Sequence, residues 1–164
     1  MSTTYPSVEF ANLAANASGQ PVAAYVNDTA RGRKMRYLIA NYTIPATGGA
    51  VPISGDIINL GTLPKGAIVD PQKSHVWNEL VHTALNFDIG DDGVTADAAR
   101  YASNLDCKAA NAQVAFSSGT IPAALKTPYQ TLLKTTVSAT LHGTVTLNAA
   151  ASQVRFCIAY WVLG

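Results

Sequence analysis

The residues best suited to chemistry fall in the middle third of the chain. His75, Glu79 and His82 read H-x-x-x-E-x-x-H, which on a helix would put three metal ligands along one face. On a strand, His75 and Glu79 would share a face and His82 would point away, so no three-ligand site forms locally. The strand reading is preferred, and no metal is expected from this run. Asp88, Asp91, Asp92 and Asp97 follow as an acidic group of the oxygen-donor kind that hard cations take. An EF-hand would need an oxygen ligand where Gly90 sits and a Glu where Ala99 sits, so that pattern fails, and a looser surface cation site is the residual alternative.

Covalent and nucleotide chemistry find less support. No G-x-S-x-G elbow occurs, and Ser117-Ser118-Gly119 lacks the glycine that would precede a nucleophile on a tight turn. Neither G-x-x-x-x-G-K-[ST] nor G-x-G-x-x-G is present. Cys107 and Cys157 are too few for a disulfide framework and too far apart for a zinc knuckle, so both are read as buried thiols. Arg31, Arg33, Lys34 and Arg36 put four of the 11 basic residues into six positions, a patch read as a solvated turn rather than a nucleic-acid site. Trp77 and Trp161 could stack sugars or bases, but aromatic residues on strands more often fill a core or an interface. The reading is a non-enzyme without cofactors.

Strands must position these groups. From Arg36 onward, short apolar or alternating runs recur between turn residues, as in a sandwich or barrel. Tyr37–Ile44 ends at Pro45 and enters the Thr47-Gly48-Gly49 loop; Asp56–Leu60 and Ala67–Val69 flank a turn-rich link. His75–Val81 and Ala84–Ile89 are expected to pair as a hairpin. Thr95 is placed to cap a short helix through Asp97-Ala98-Ala99-Arg100-Tyr101. Strict alternation over Val137–Leu147 predicts one continuous strand, bulged at Gly143. Val154–Leu163 carries bulky residues on both faces, as a central strand buried on both sides would. The expected fold is all-β: an antiparallel β-sandwich of jelly-roll type, with an extended N-terminal arm over residues 1–34, a sandwich domain over 35–164 and one short helix.

Composition narrows the partners. The 164 residues carry a formal charge of +1, and only 13% are charged against 48% hydrophobic, so charge-driven disorder is excluded and no electrostatic footprint for nucleic acid or anionic lipid exists. No apolar run reaches the length of a membrane helix, and Met1–Pro6 resembles no signal peptide, so a soluble, non-secreted protein is expected. Charges are unevenly spread: residues 37–55 have none, and between Ala109 and Val154 only Lys126 and Lys134 occur. Surfaces this poor in charge invite association unless other subunits cover them. Tyr5, Val8, Phe10 and Leu13 punctuate an otherwise small and polar N-terminal stretch and are expected to anchor the arm.

The run Leu60-Gly61-Thr62-Leu63-Pro64-Lys65-Gly66-Ala67-Ile68-Val69, then Ala84-Leu85-Asn86-Phe87-Asp88-Ile89-Gly90-Asp91-Asp92, then Asp97-Ala98-Ala99-Arg100-Tyr101 resembles small virion structural proteins of tailed bacteriophages. In these, a strand entered through L-P-x-G precedes a strand ending in an I-G-D loop and a D-x-x-R-Y turn. The resemblance spans about residues 60–101 and carries no catalytic chemistry. It implies a β-sandwich that coats or cements a capsid, or sits elsewhere in the virion, after assembly in the host cytoplasm. The residues agree with a structural role, since Asp88 and Asp91 flank a glycine turn that Arg100 would clamp.

The function expected is a non-enzymatic capsid decoration or cement protein, homotrimeric, bridging neighbouring major capsid proteins without touching nucleic acid or membrane. Gly48 and Gly49, and the loop from Gly119 to Pro122, are the expected contact tips beside the arm anchors. The rival reading is a receptor- or carbohydrate-binding sandwich of a tail or fibre, using Trp77 or exposed tyrosines. A hydrolase with a scattered site is the most remote alternative.

Overall fold

The computed structural model describes residues 33–119 and 130–163, and within them the chain is almost entirely strand. In order these are β1 (Arg33–Ile44), β2 (Ile57–Leu63), β3 (Ala67–Val69), β4 (His75–Asn78), β5 (Asn86–Asp91), β6 (Asp97–Asp106), β7 (Ala112–Ala115), β8 (Thr135–His142) and β9 (Ser152–Leu163). One sheet runs β1-β9-β4-β7, with β3 also paired to β9; the other runs β2-β8-β5-β6. All pairings are antiparallel. The fold is therefore an all-β antiparallel sandwich.

Period-two alternation explains which residues meet between the sheets. From β9 the inward set is Val154, Phe156, Ile158 and Tyr160; from β8 it is Val137, Ala139 and Leu141; from β5, Phe87 and Ile89. The rings of Phe87 and Phe156 meet across the two sheets edge to face, 5.2 Å between centroids. Burying one such ring is worth about 1.5–3 kcal/mol, and the pairing geometry about 0.5–1.5 kcal/mol more. Strand β9 lies between β1 on one side and β3 and β4 on the other, and its outward Cys157 and Ala159 are also buried, as a central strand with bulk on both faces demands.

Three local expectations are corrected. Asp97–Tyr101 is the start of β6 rather than a helix: five residues cannot repay helix nucleation, while pairing with β5 and the burial of Arg100 and Tyr101 favour the extended chain. The one helical element among the described residues is a single 3-10 turn, Phe116–Ser118. His75–Asn78 and Asn86–Asp91 do not form a hairpin, because β4 and β5 belong to different sheets; His82 is buried in the link between them. The alternating run Val137–Leu147 leaves the sheet after His142, where Gly143 adopts φ +82° and turns the chain so that Val145 N–H bonds Pro52 C=O. The arm expected over residues 1–34 lies almost wholly outside the described residues.

The pairing of β5 with β6 is irregular. Phe87 faces Leu105, Ile89 faces Ala102, and Asp91 faces Asp97, so the step from Ile89 to Asp91 spans two residues on β5 and five on β6. The surplus chain of β6 bows over Gly90, where an added Cβ would collide with the Asp97 carbonyl oxygen and stand 2.6 Å from the Ala98 Cα. Backbone on both sides cannot yield as a flexible side chain would. Gly90→Ala is therefore expected to cost at least about 3 kcal/mol, the upper end of ordinary overpacking, and to lower the melting temperature by roughly 6–12 °C. Calorimetry checks this; a loss under about 1 kcal/mol would show that β6 does not rest on Gly90.

Candidate functional site

Two groups of residues stand out, one at each end of the sandwich. At the end where β5 finishes, the bulge in β6 puts the consecutive residues Arg100 and Tyr101 on the same carboxylate. Arg100 Nε donates to Asp91 Oδ1 at 3.1 Å, and the Tyr101 hydroxyl donates to Asp91 Oδ2. Gly93 N–H donates to Oδ1 at 3.0 Å, and the Arg100 fork also reaches the Thr95 carbonyl. The Asp91 side chain is fully buried and that of Arg100 nearly so. With both oxygens engaged, Asp91 has nothing left for a cation or a substrate, and the group pins the β5–β6 turn.

Asp88 stands apart from this group. Its side chain projects from the outer face of its sheet, where Oδ2 meets His142 Nε2 at 2.7 Å and Oδ1 accepts from Asn104 N–H at 2.7 Å. Asp92 Oδ1 accepts from Thr136 N–H, tying the turn to β8, and Asp97 Oδ1 accepts from Ala99 N–H. Each carboxylate of the acidic run thus serves a different backbone partner. Among the described residues no group of three or more His, Cys, Asp or Glu is placed to hold a metal ion, and no helix is long and apolar enough to cross a membrane.

At the opposite end the links 45–56, 79–85, 107–111 and 143–151 pass from one sheet to the other. Hydrogen bonds join them into one cap. Thr47 N–H donates to Asn148 C=O, Asn148 Nδ2 donates to Val81 C=O, Val145 N–H donates to Pro52 C=O, and His82 N–H donates to Lys108 C=O. The buried Asn78 amide reaches the carbonyls of Leu80 and Cys107 from beneath. His82, 3% exposed, sits inside: Nδ1 lies 3.4 Å from the Thr146 carbonyl and Nε2 2.8 Å from Ser152 Oγ. Since a carbonyl only accepts, Nδ1 carries the proton and Nε2 accepts from the serine hydroxyl. Burial holds the His82 pKa below 6.5, against the opposing pull of the Thr146 carbonyl.

The surface of this cap mixes exposed apolar side chains with uncharged polar ones such as Thr47, Ser54, Thr83 and Thr144. Val51, Ile53, Ile57 and Val81 are 46%, 52%, 70% and 63% exposed, and Asp56, Glu79 and Lys108 are the charged residues of the four links. Gly48 and Gly49 lie in an exposed turn of the same cap, with Gly49 N–H on Ala46 C=O. The sequence offered no signal that these links would meet, because their contacts span up to 101 positions. Gly119 is elsewhere and half-buried, its Cα so close to β6 that a Cβ would stand 2.8 Å from the Ser103 carbonyl. Pro122, Tyr5, Val8, Phe10 and Leu13 lie outside the described residues. Cys107 is fully buried, its pKa pushed up to about 12 mainly by burial, and burial also raises that of Cys157, which favours the protonated thiol at both.

Two outcomes follow. Asp91→Ala strands a buried guanidinium and is expected to cost about 3–5 kcal/mol, whereas Asp88→Ala, at a half-exposed pair, is expected to cost about 1 kcal/mol or less; equal losses in urea titrations would refute the division. For His82, the unfolded chain takes up a proton near pH 6.5 while the folded chain resists it. Stability is therefore present above that pH and is lost as the pH falls through it toward the lower folded-state value. The urea midpoint of His82→Gln is expected to depend less on pH over this window, and an unchanged dependence would clear His82 of the effect.

No family model matches the chain, and no curated protein matches it. Solved structures do. A chain of the Ralstonia phage GP4 capsid aligns over 80% of this chain and 85% of its own, with TM-score 0.46 and 20% identity. A chain of the cyanophage Pam1 capsid asymmetric unit aligns over 79% of this chain and 84% of its own, with 18% identity and TM-score 0.52, and its fold is the fold of this chain.

Proposed function

We propose that this protein is a non-enzymatic structural component of a phage virion, a decoration or cement protein that bridges neighbouring major capsid proteins. The observation that carries the reading is the fold held in common with a chain of a cyanophage capsid asymmetric unit over 79% of the present chain. The strand order supports it further: we read β1-β9-β4-β7 against β2-β8-β5-β6, with β3 as an addition, as a jelly roll of the type found in viral capsid domains.

The cap supplies the docking surface in this reading. Val51, Ile53, Ile57 and Val81, with the Gly48-Gly49 turn, offer apolar area in a region nearly free of charge, and each Å² removed from water contributes about 25 cal/mol. Several weak contacts per trimer then add up through avidity, because every contact after the first is intramolecular. The partners are the major capsid protein and further copies of the chain, in a homotrimer; nucleic acid and membrane have no part in it. In this reading Tyr5, Val8, Phe10 and Leu13 of the arm, residues 1–34, serve as interface anchors, and Asp88, Asp91 and Arg100 act structurally in the β5–β6 region.

The test uses expanded phage heads lacking this protein, mixed with purified chain and sedimented. The intact protein is expected to co-sediment at saturable occupancy. Ile53→Glu combined with Val81→Glu, both at exposed positions, should reduce occupancy at least about tenfold with an unchanged circular dichroism spectrum. Removing residues 1–30 should leave the sandwich folded and abolish attachment. Full occupancy by both variants, or failure of the intact protein to bind heads, would end the capsid reading.

A further inference from the structure

The outer faces of the two sheets differ in kind. That of β2-β8-β5-β6 carries Ser138, Thr140, Asn86, Asp88 and His142, with no tryptophan, tyrosine or phenylalanine among them. The other face carries both tryptophans, in unlike settings. Trp161, half-buried on β9, has the Lys73 ammonium 5.1 Å from its ring centroid. Trp77, half-buried on β4, has no ring or cation stacked on it among the described residues.

Polar side chains stand in register with Trp77. Gln113 of β7 is its partner on one side and Arg155 of β9 on the other, and Arg155 in turn pairs with Asn41 of β1. This row crosses four strands, about 14 Å at the usual strand spacing. Toward the cap a second row adjoins it, Glu79, Gln153 and Thr43. The side chains are already held: Arg155 Nε donates to Asn41 Oδ1 at 3.0 Å, Gln153 Nε2 donates to Thr43 Oγ1 at 2.9 Å, and Glu79 Oε2 accepts from Gln153 N–H at 2.8 Å. The terminal nitrogens of the exposed Arg155 guanidinium engage no described residue.

We infer that Trp77, with Gln113, Arg155, Asn41 and Glu79, forms a binding platform for a neutral pyranose glycan. A pyranose ring has an apolar C–H face and a rim of hydroxyls that both donate and accept. The indole is a flat apolar plane for the first. The guanidinium and amide N–H groups and the amide and carboxylate oxygens meet the second. Arg155 and Glu79 cancel in charge, which selects an uncharged ligand. Because Arg155, Asn41 and Glu79 are held before any ligand arrives, little of their rotamer entropy remains to be lost on binding. The row is longer than one sugar ring, so a chain of sugars rather than a monosaccharide is the fitting ligand. This site is independent of the capsid reading and lies on a sheet face rather than on the cap.

The full chain, labelled with 15N, is titrated with cellotetraose, maltotetraose and chitotetraose, following the two tryptophan indole N–H signals. At least one tetrasaccharide is expected to shift the Trp77 signal with a Kd of about 1 mM while the Trp161 signal stays in place. Trp77→Ala should weaken that binding at least about tenfold, Trp77→Tyr should retain most of it, and Arg155→Gln should weaken it several-fold, with melting temperatures unchanged for the two conservative variants. The inference is overturned if none of the three sugars moves the Trp77 signal, or if Trp77→Ala binds as the parent does. It is equally overturned if Trp77→Ala leaves sugar binding intact and instead lowers attachment to phage heads, which would make the ring a protein contact.

Discussion

A carboxylate taken out of water dictates much of the local architecture. Asp91 is buried without solvent, and such a charge is tolerable only when its oxygens are fully engaged. Arg100, Tyr101 and Gly93 supply that engagement. Neighbouring residues on a regular strand point to opposite faces, so Arg100 and Tyr101 can reach one acceptor only if β6 is bulged. The bulge needs room, and the room is the missing side chain of Gly90. One buried charge thus accounts for the irregular register, for a glycine inside a strand, and for the extended conformation of a segment whose local preference is helical.

The far end of the sandwich follows from topology instead. Consecutive strands mostly cross between sheets, so four links gather where β1, β4, β6 and β8 finish. Buried backbone there must find partners, and the hydrogen bonds among links 45–56, 79–85, 107–111 and 143–151 do so without charged side chains. His82 and Asn78 sit underneath as neutral polar struts. Among what reaches solvent are the large apolar side chains Val51, Ile53, Ile57 and Val81, set among uncharged polar residues at one end of the body. A cap held by backbone contacts is stiff, and a stiff apolar surface loses little entropy when a partner covers it.

Much of the strand content was legible because period-two alternation and Gly/Pro punctuation are local signals. β3, β8 up to His142, and β9 lie close to where alternation puts them, and the double-sided bulk of Phe156, Ile158 and Tyr160 against Cys157, Trp161 and Leu163 marked β9 as central. That the spacing of the acidic run fails the calcium-loop pattern was also legible, being a property of a few adjacent residues. Less legible was the split between Asp88 and Asp91. Both flank Gly90 in sequence, yet alternation and the bulge send one carboxylate outward to His142 and the other inward to Arg100. The helix expected at Asp97–Tyr101 failed for the same reason, as its residues answer to Asp91 and Gly90 rather than to their own propensities.

From composition and pattern alone came an all-β chain, poor in charge and without the residue spacings of a nucleotide, zinc or serine-nucleophile site, because these properties reside in single residues and short periods. Which strands share a sheet, that β4 and β5 part company, that four links form one cap, and that Lys73 lies over Trp161 while no described ring or cation lies over Trp77, were decided by contacts spanning tens to a hundred positions. Such contacts form only when two sheets close on a common core, and local sequence encodes the strands but not the partners they find.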